Sequence, residues 1–174
     1  MAASNFHQWL LQFCEWHDSF KRGALPAEEA ELYMQGRRDL CSTLLMAQRL
    51  AIEPGAAARG ALRVARAYQI EFGLPAGSVT SITNDISTSG LSALVAESPP
   101  TGTVVWMRLK IGSGALIVGR CQVVKIIPKQ GSILMAVAFE GLPGEAREKI
   151  ETVVCDVVVS EIRSSFRQRQ AAAG

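Results

Sequence analysis

The spacing of apolar residues changes along the chain, from a helical period to an alternating one and back. Apolar side chains recur every three or four positions through residues 4–20 and 26–52. This spacing predicts two amphipathic helices, the first ended near Gly23 and the second broken at Pro54. We therefore expect residues 1–54 to form an N-terminal helical hairpin.

After residue 67 the apolar positions alternate with polar ones, as in β-strands, and turns rich in Gly and Pro separate the runs. The six predicted strands are residues 68–72, 79–86, 91–95, 105–111, 115–127 and 133–139. Strands of this length and spacing favour a closed antiparallel barrel, since closure removes exposed edges.

The last segment returns to a helical period. Its valine-rich stretch, residues 152–159, also suits a strand. Apolar residues nevertheless keep helical spacing from Ile150 to Phe166, so we predict a C-terminal helix packed on the barrel. The expected organisation is a helical extension, residues 1–54, followed by a mainly β domain with its C-terminal helix, residues 55–170.

The charge of the chain is uneven. The formal net charge is +2, but residues 55–142 carry eight basic and four acidic side chains. A surplus of four is too small for a dedicated nucleic-acid-binding protein and sufficient for a small dianion. With 48% hydrophobic residues, the chain has enough apolar material to bury a core.

Other features argue against several classes of protein. The four cysteines are scattered and have no histidine at ligand spacing, so neither a disulfide framework nor a metal site is expected. No run of 18 uncharged apolar residues and no signal-peptide pattern is present, which predicts a cytoplasmic protein without membrane insertion. Both histidines lie on the first predicted helix and no catalytic motif accompanies them, so we expect neither an enzyme nor a cofactor.

Candidate binding residues concentrate between Gly55 and Leu91. Arg59 and Arg63 lie in a flexible segment without acidic residues, which suggests that they bind an external anion. Asp85-x-Ser87-x-x-Gly90 follows in a polar turn that offers a carboxylate, a hydroxyl and a glycine able to adopt positive φ. The combination suits a planar, phosphorylated ligand rich in donors, such as a guanine nucleotide.

This order and spacing, Arg59-x-x-x-Arg63 and then Asp85-x-Ser87-x-x-Gly90 22 positions after Arg63, resembles the signature of the PilZ domain. The PilZ domain is the bacterial cyclic-di-GMP receptor module. The resemblance covers roughly residues 55–165 and implies a six-stranded antiparallel split barrel with a C-terminal helix.

The resemblance also implies roles for single residues. Arg59 and Arg63 would contact phosphate oxygens and a guanine edge, since guanidinium is bidentate to both. Asp85 and Ser87 would bind the N1 and N2 edge of the guanine, and Gly90 would approach it through its backbone.

Three positions leave the ligand site open to alternatives. Many family members carry an arginine directly before the first motif arginine, whereas this chain has Ala58, which suggests a weaker site or a different number of bound nucleotides. Arg66 is a further candidate, although outward solvation is favoured for it. Trp106 is another, although we expect it to pack against the terminal helix.

The leading hypothesis is a non-enzymatic cyclic-di-GMP receptor that signals to an unidentified protein partner in motility, pili, exopolysaccharide production or a related process. Its N-terminal helices would dock on the barrel, on that partner or on a second copy in a homodimer. The alternative is a PilZ adaptor that acts through protein contacts without nucleotide. A barrel for single-stranded nucleic acid is a distant third, so no nucleic-acid partner is expected.

Overall fold

The computed structural model describes residues 3–51, 60–74, 77–112 and 114–173. Its contacts divide the chain into two compact units. The helical unit holds the N-terminal helices and the chain from Cys155 onward, and the barrel unit spans Gly60–Val154.

Three helices contribute to the helical unit. They are α1 (Ala3–Lys21), α2 (Ala27–Leu50) and the second half of α3 (Gly144–Ala173). Gly23 ends the first helix in the left-handed region, with φ 67, so the predicted helical hairpin is confirmed. The predicted domain division at residues 54 and 55 stays a prediction, and the contacts group Cys155–Gly174 with the N-terminal helices.

Aromatic side chains fill the space between α1 and α2. Phe13 and Tyr33 are fully buried and their ring centroids lie 5.5 Å apart, with Trp9 stacked 5.5 Å beyond Phe13. Gly36 permits this approach, because a Cβ there would stand 3.1 Å from the Trp9 ring.

Two polar clusters join α3 to α1. His17, which is buried, contacts the Tyr33 hydroxyl at 2.8 Å and an Asp156 carboxylate oxygen at 2.9 Å. On the same side of the unit, Arg163 donates to both carboxylate oxygens of Asp18, at 2.6 and 3.3 Å. The helical unit is therefore held by ion pairs as well as by its aromatic core.

We expect the helical unit to lose stability in acid. The hydrogen bond from Arg163 lowers the pKa of Asp18. Burial raises the pKa of Asp156, but hydrogen bonds from His17 and Lys21 outweigh it and the net shift is downward. Carboxyls with lowered pKa stabilise the fold above their unfolded pKa of about 4, and this contribution disappears as the pH falls through the lower folded values. Each should contribute about 1 kcal/mol or less, because roughly a third of each side chain is exposed.

Thermal melts followed by helical circular dichroism between pH 2 and 7 test this. The variant Asp18→Asn should be less stable than the parent at pH 7 and should lose less stability on acidification. Parallel pH profiles for the two proteins would contradict the assignment.

Seven strands form one antiparallel sheet in the barrel unit. They are β1 (Val64–Ala65), β2 (Gln69–Leu74), β3 (Gly77–Ser87), β4 (Gly90–Val95), β5 (Val104–Ile111), β6 (Ala115–Lys129) and β7 (Ser132–Glu140). Their order is β1-β3-β2-β5-β6-β7-β4, and an additional pairing of β3 with β4 closes the barrel. The predicted six-stranded antiparallel barrel is confirmed, and β1 is an extra short strand that, within the described ranges, pairs only with β3.

Alternating side chains fill the barrel as the sequence pattern predicts. On β5, every second residue from Val105 to Ile111 is buried, whereas the residues between them are exposed. Phe72 and Met135 from other strands are also completely buried. None of the helices in the described ranges is long and apolar enough to cross a membrane.

Candidate ligand-binding site

Asp85 lies where three strands meet. It is opposite Ala65 of β1 and Ser92 of β4, directly after an irregularity in the β3–β4 register between Thr83 and Asp85. Such a bulge re-aims the side chain that follows it. The Ser92 hydroxyl donates to Asp85 Oδ2 at 2.8 Å, and the Asn84 amide donates to the same oxygen at 3.3 Å.

The other carboxylate oxygen is in a different situation. Asp85 Oδ1 is buried and, among the described residues, has no hydrogen-bond partner. Arg63 Nη1 lies 3.6 Å away, within ion-pair range but too far for a good hydrogen bond. Because a buried acceptor without a donor is costly, this oxygen is suited to receive an N–H from a ligand.

The pairing of β1 with β3 brings the two halves of the motif together. Arg63 directly precedes β1, and its side chain, 38% exposed, lies beside Asp85. The expectation that Arg63 lacks a nearby carboxylate is therefore wrong, because distance along the sequence does not reflect distance across a sheet. Its guanidinium remains accessible to a ligand. Arg59 lies outside the described residues, so its role stays a prediction.

Ser87 and Gly90 shape the turn between β3 and β4. Ser87 is buried, and its hydroxyl donates to the Gly90 carbonyl at 3.0 Å and lies 3.2 Å from the Ser89 hydroxyl. This is a structural role within the hairpin, and ligand contact by Ser87 remains a prediction.

Gly90 does not use the positive φ that glycine allows, since its φ lies outside that region. The absence of a side chain matters for a different reason. A Cβ at Gly90 would stand 2.1 Å from the Val137 carbonyl oxygen on β7, so glycine is needed for β4 and β7 to approach each other. Direct contact of its backbone with a ligand stays a prediction.

The two further candidates lie on the outer surface of the barrel. Arg66 is exposed between β1 and β2, with its guanidinium carbon 5.9 Å from the centre of the Tyr68 ring. Trp106 is 60% exposed on β5, opposite Gly73 of β2, so the expectation that it packs against the terminal helix is wrong. Asp85 does not pair with the strand that carries Trp106.

Three site residues were not identified from the sequence. Asn84 and Ser92 hold Asp85, and Thr83 fixes the backbone on either side of Ala67. Ser92 is in an apolar run, where a single serine gives no signal of function, and its contact depends on the β3–β4 register.

The arrangement offers a cation and a carboxylate acceptor side by side on a rigid barrel. In such a pair the guanidinium can bind an anion while the carboxylate accepts hydrogen bonds from the donor edge of a base. Within the part of the chain that the structure describes, no group of three or more His, Cys, Asp or Glu residues is placed to hold a metal ion.

The family model for the PilZ domain matches residues 57–154, more than half of the chain. No match was found among curated proteins.

Several solved structures share the fold. The PilZ domain of YcgR from Escherichia coli with c-di-GMP matches with a TM-score of 0.53 and 12% identity, over 63% of this chain and 98% of that one. The K. pneumonia MrkH–c-di-GMP complex matches with a TM-score of 0.57 and 13% identity, over 63% of this chain and 56% of that one. The Bacillus subtilis inhibitor of motility MotI/DgrA matches with a TM-score of 0.53 and 12% identity, over 62% of this chain and 53% of that one.

The match spans about half the length of MotI/DgrA and of MrkH, so the fold is shared with a part of those proteins. At these identities the structural likeness concerns the fold, and the family model supplies the sequence evidence. Matched by that model over residues 57–154, the chain belongs to the PilZ domain family.

Proposed function

We propose that the protein is a non-enzymatic receptor for cyclic-di-GMP. The observation that carries the proposal is the buried Asp85 Oδ1, an acceptor with no hydrogen-bond donor among the described residues, 3.6 Å from the Arg63 guanidinium. Guanine presents two neighbouring N–H donors at N1 and N2 and two acceptors at O6 and N7. A carboxylate and a guanidinium placed together complement both edges.

The roles of the residues follow from this fit. Asp85 accepts from the N1 and N2 edge, and the Ser92 and Asn84 donors to its other oxygen keep the carboxylate oriented. Arg63 binds a phosphate oxygen or the O6/N7 edge, and Arg59 supplies a second guanidinium. Ser87 and Gly90 hold the turn next to them. Two structures of similar fold, the PilZ domain of YcgR with c-di-GMP and the MrkH–c-di-GMP complex, support this choice of ligand.

The proposed output is a change in protein contacts. Binding at the arginine segment alters what the helices contact: an unidentified protein partner or a second copy of the chain. Motility is the process suggested by the similar fold of MotI/DgrA, an inhibitor of motility. We place the receptor in the cytoplasm, where its four cysteines, which form no disulfide in the described residues, would stay reduced.

Calorimetric titration of the folded protein with cyclic-di-GMP tests the proposal, with a short oligonucleotide as the control ligand. We expect saturable binding of the dinucleotide and none of the oligonucleotide. Light scattering with and without ligand measures the association state. Absence of heat at ligand concentrations up to about 100 μM would favour the nucleotide-independent adaptor.

A further inference from the structure

An open pocket lies on the barrel unit, and neither Asp85 nor Ser87 lines it. Its volume is about 490 Å³, and it is lined by Arg66, Ala67, Tyr68, Gln69, Lys110 and Gly112. These residues come from the link between β1 and β2, from the first residue of β2, and from the end of β5 with the turn that follows it. Gln69 and Lys110 are direct partners in the β2–β5 register, so their side chains emerge next to each other.

The lining carries two positive charges and no carboxylate. Arg66 and Lys110 are both exposed, and neither forms an ion pair with any residue in the described ranges. The nearest acidic side chain on the same face of β2, Glu71, is paired with Arg108 at 3.6 Å. The local field therefore favours an anion.

The pocket also has a flat wall. The guanidinium of Arg66 lies over the Tyr68 ring, with 5.9 Å between its carbon and the ring centre. A guanidinium stacked on an aromatic ring presents its outer face to a second planar group, such as a nucleobase.

A buried threonine fixes this wall to the core. The Thr83 hydroxyl donates to the Arg66 carbonyl at 2.5 Å and accepts from the Tyr68 amide at 2.9 Å. The Thr83 amide also donates to the Tyr68 carbonyl at 2.9 Å. Three hydrogen bonds from one core residue therefore hold the backbone that carries Arg66 and Tyr68, so the pocket is preorganised on that side.

We propose that this pocket binds a phosphorylated guanine unit, with the base stacked on Arg66 and the phosphate near Lys110. Gln69 offers both a donor and an acceptor to the base or the ribose. The inference rests on the proposed function, since it extends the Arg63–Asp85 site. The unit is either the second half of the same cyclic dinucleotide or part of a second molecule, and the chemistry is the same for both.

The test compares the parent protein with Arg66→Ala, Lys110→Ala and the double variant. Lys129→Ala is the matched control, because it removes an exposed cationic side chain of β6 that does not line the pocket. All these side chains are exposed, so melting temperatures should stay close to that of the parent. Titration with cyclic-di-GMP should show binding weakened about 2- to 5-fold by Lys110→Ala and about 3- to 30-fold by Arg66→Ala. Lys129→Ala should change the affinity less than about 2-fold.

Stoichiometry separates the two sources of the guanine unit. If it is the second half of the same molecule, the double variant binds one ligand more weakly, as the parent binds one. If it is a second molecule, the parent binds two ligands and the double variant binds one with unchanged affinity. A double variant with the affinity and stoichiometry of Lys129→Ala overturns the proposal. In that case, binding of cyclic-di-GMP by the parent still supports the receptor function.

A second measurement decides the case in which the parent does not bind cyclic-di-GMP and the receptor function fails. Guanosine monophosphate at millimolar concentration is added to labelled protein, and amide chemical shifts are recorded. Shifts at Tyr68, Gln69 and Lys110 that disappear in the double variant support the pocket. Their absence in the parent overturns it.

Discussion

Replacement of Gly90 by alanine should lower the free energy of unfolding of the barrel by about 3 kcal/mol. The added Cβ would stand 2.1 Å from the Val137 carbonyl oxygen and 3.1 Å from the Ala138 Cα. Both contacts are with backbone, which cannot rotate away, so β4 and β7 must separate. Gly90 is also the first residue of the β4–β7 register, where it pairs with Ala138. Separation there would loosen the closure of the barrel and the turn that holds Ser87.

Gly73→Ala is the matched control for this substitution. Gly73 also lies within a strand and has ordinary φ, but a Cβ there would meet only the Trp106 Cβ and carbonyl oxygen, at 3.7 and 3.9 Å. It should change the free energy of unfolding by less than about 1 kcal/mol. Urea unfolding of both variants measures the difference. Equal stability of the two would mean that the barrel adjusts at Gly90 without cost.

The period of the apolar residues was enough to predict the helices and the barrel. On β5 the alternation from Val105 to Ile111 is uninterrupted and matches the buried positions one by one. The end of α1 was predictable because a local signal, the left-handed Gly23, determines it. These features depend on nearby residues only.

Features that depend on long-range register could not be predicted. Strand β1 has two residues, which is too short for any period, yet it brings Arg63 to Asp85. The Ser92–Asp85 hydrogen bond depends on the bulge at Asn84. The residues of this apolar strand contain no pattern that predicts the bulge. In α3 the helical period continues unchanged while its contacts pass from the barrel unit to the helical unit at Cys155.

The candidate site could be predicted only in part, because some of its contacts also depend on the register between distant strands. The motif identified Arg63 and Asp85, and the structure places Arg63 Nη1 3.6 Å from Asp85 Oδ1. A motif glycine can be needed for positive φ or for close approach of two strands, and a sequence does not distinguish these reasons. At Gly90 the structure shows close approach. Trp106 was expected to be covered because large aromatic residues usually are, and its exposure follows from an outward position on β5.

Loss of the Arg63 guanidinium should have the largest effect on ligand binding. Arg63→Ala removes a charge-assisted contact, so binding of cyclic-di-GMP should weaken by about 10- to 150-fold, or 1.5–3 kcal/mol. Its effect on the free energy of unfolding should be about 1 kcal/mol or less, since the ion pair with Asp85 is long and partly exposed. Arg120→Ala is the control, because Arg120 is also paired across the sheet, to Glu140 at 3.3 Å, and lies outside the site. It should leave affinity unchanged.

Asp85 should couple binding to stability, which distinguishes it from Arg63. Asp85→Asn keeps an acceptor for the Ser92 hydroxyl but loses the carboxylate, so binding should weaken while stability changes little. Asp85→Ala also leaves the buried Ser92 hydroxyl without that acceptor, which should lower the free energy of unfolding by about 1 kcal/mol.

Binding of cyclic-di-GMP by the parent should weaken with added salt. The dependence on salt should be less steep in Arg63→Ala, because one phosphate-facing charge is gone. If Arg63→Ala instead lowers the melting temperature and binds the dinucleotide as tightly as the parent, Arg63 serves only to neutralise Asp85 and the ligand is held elsewhere.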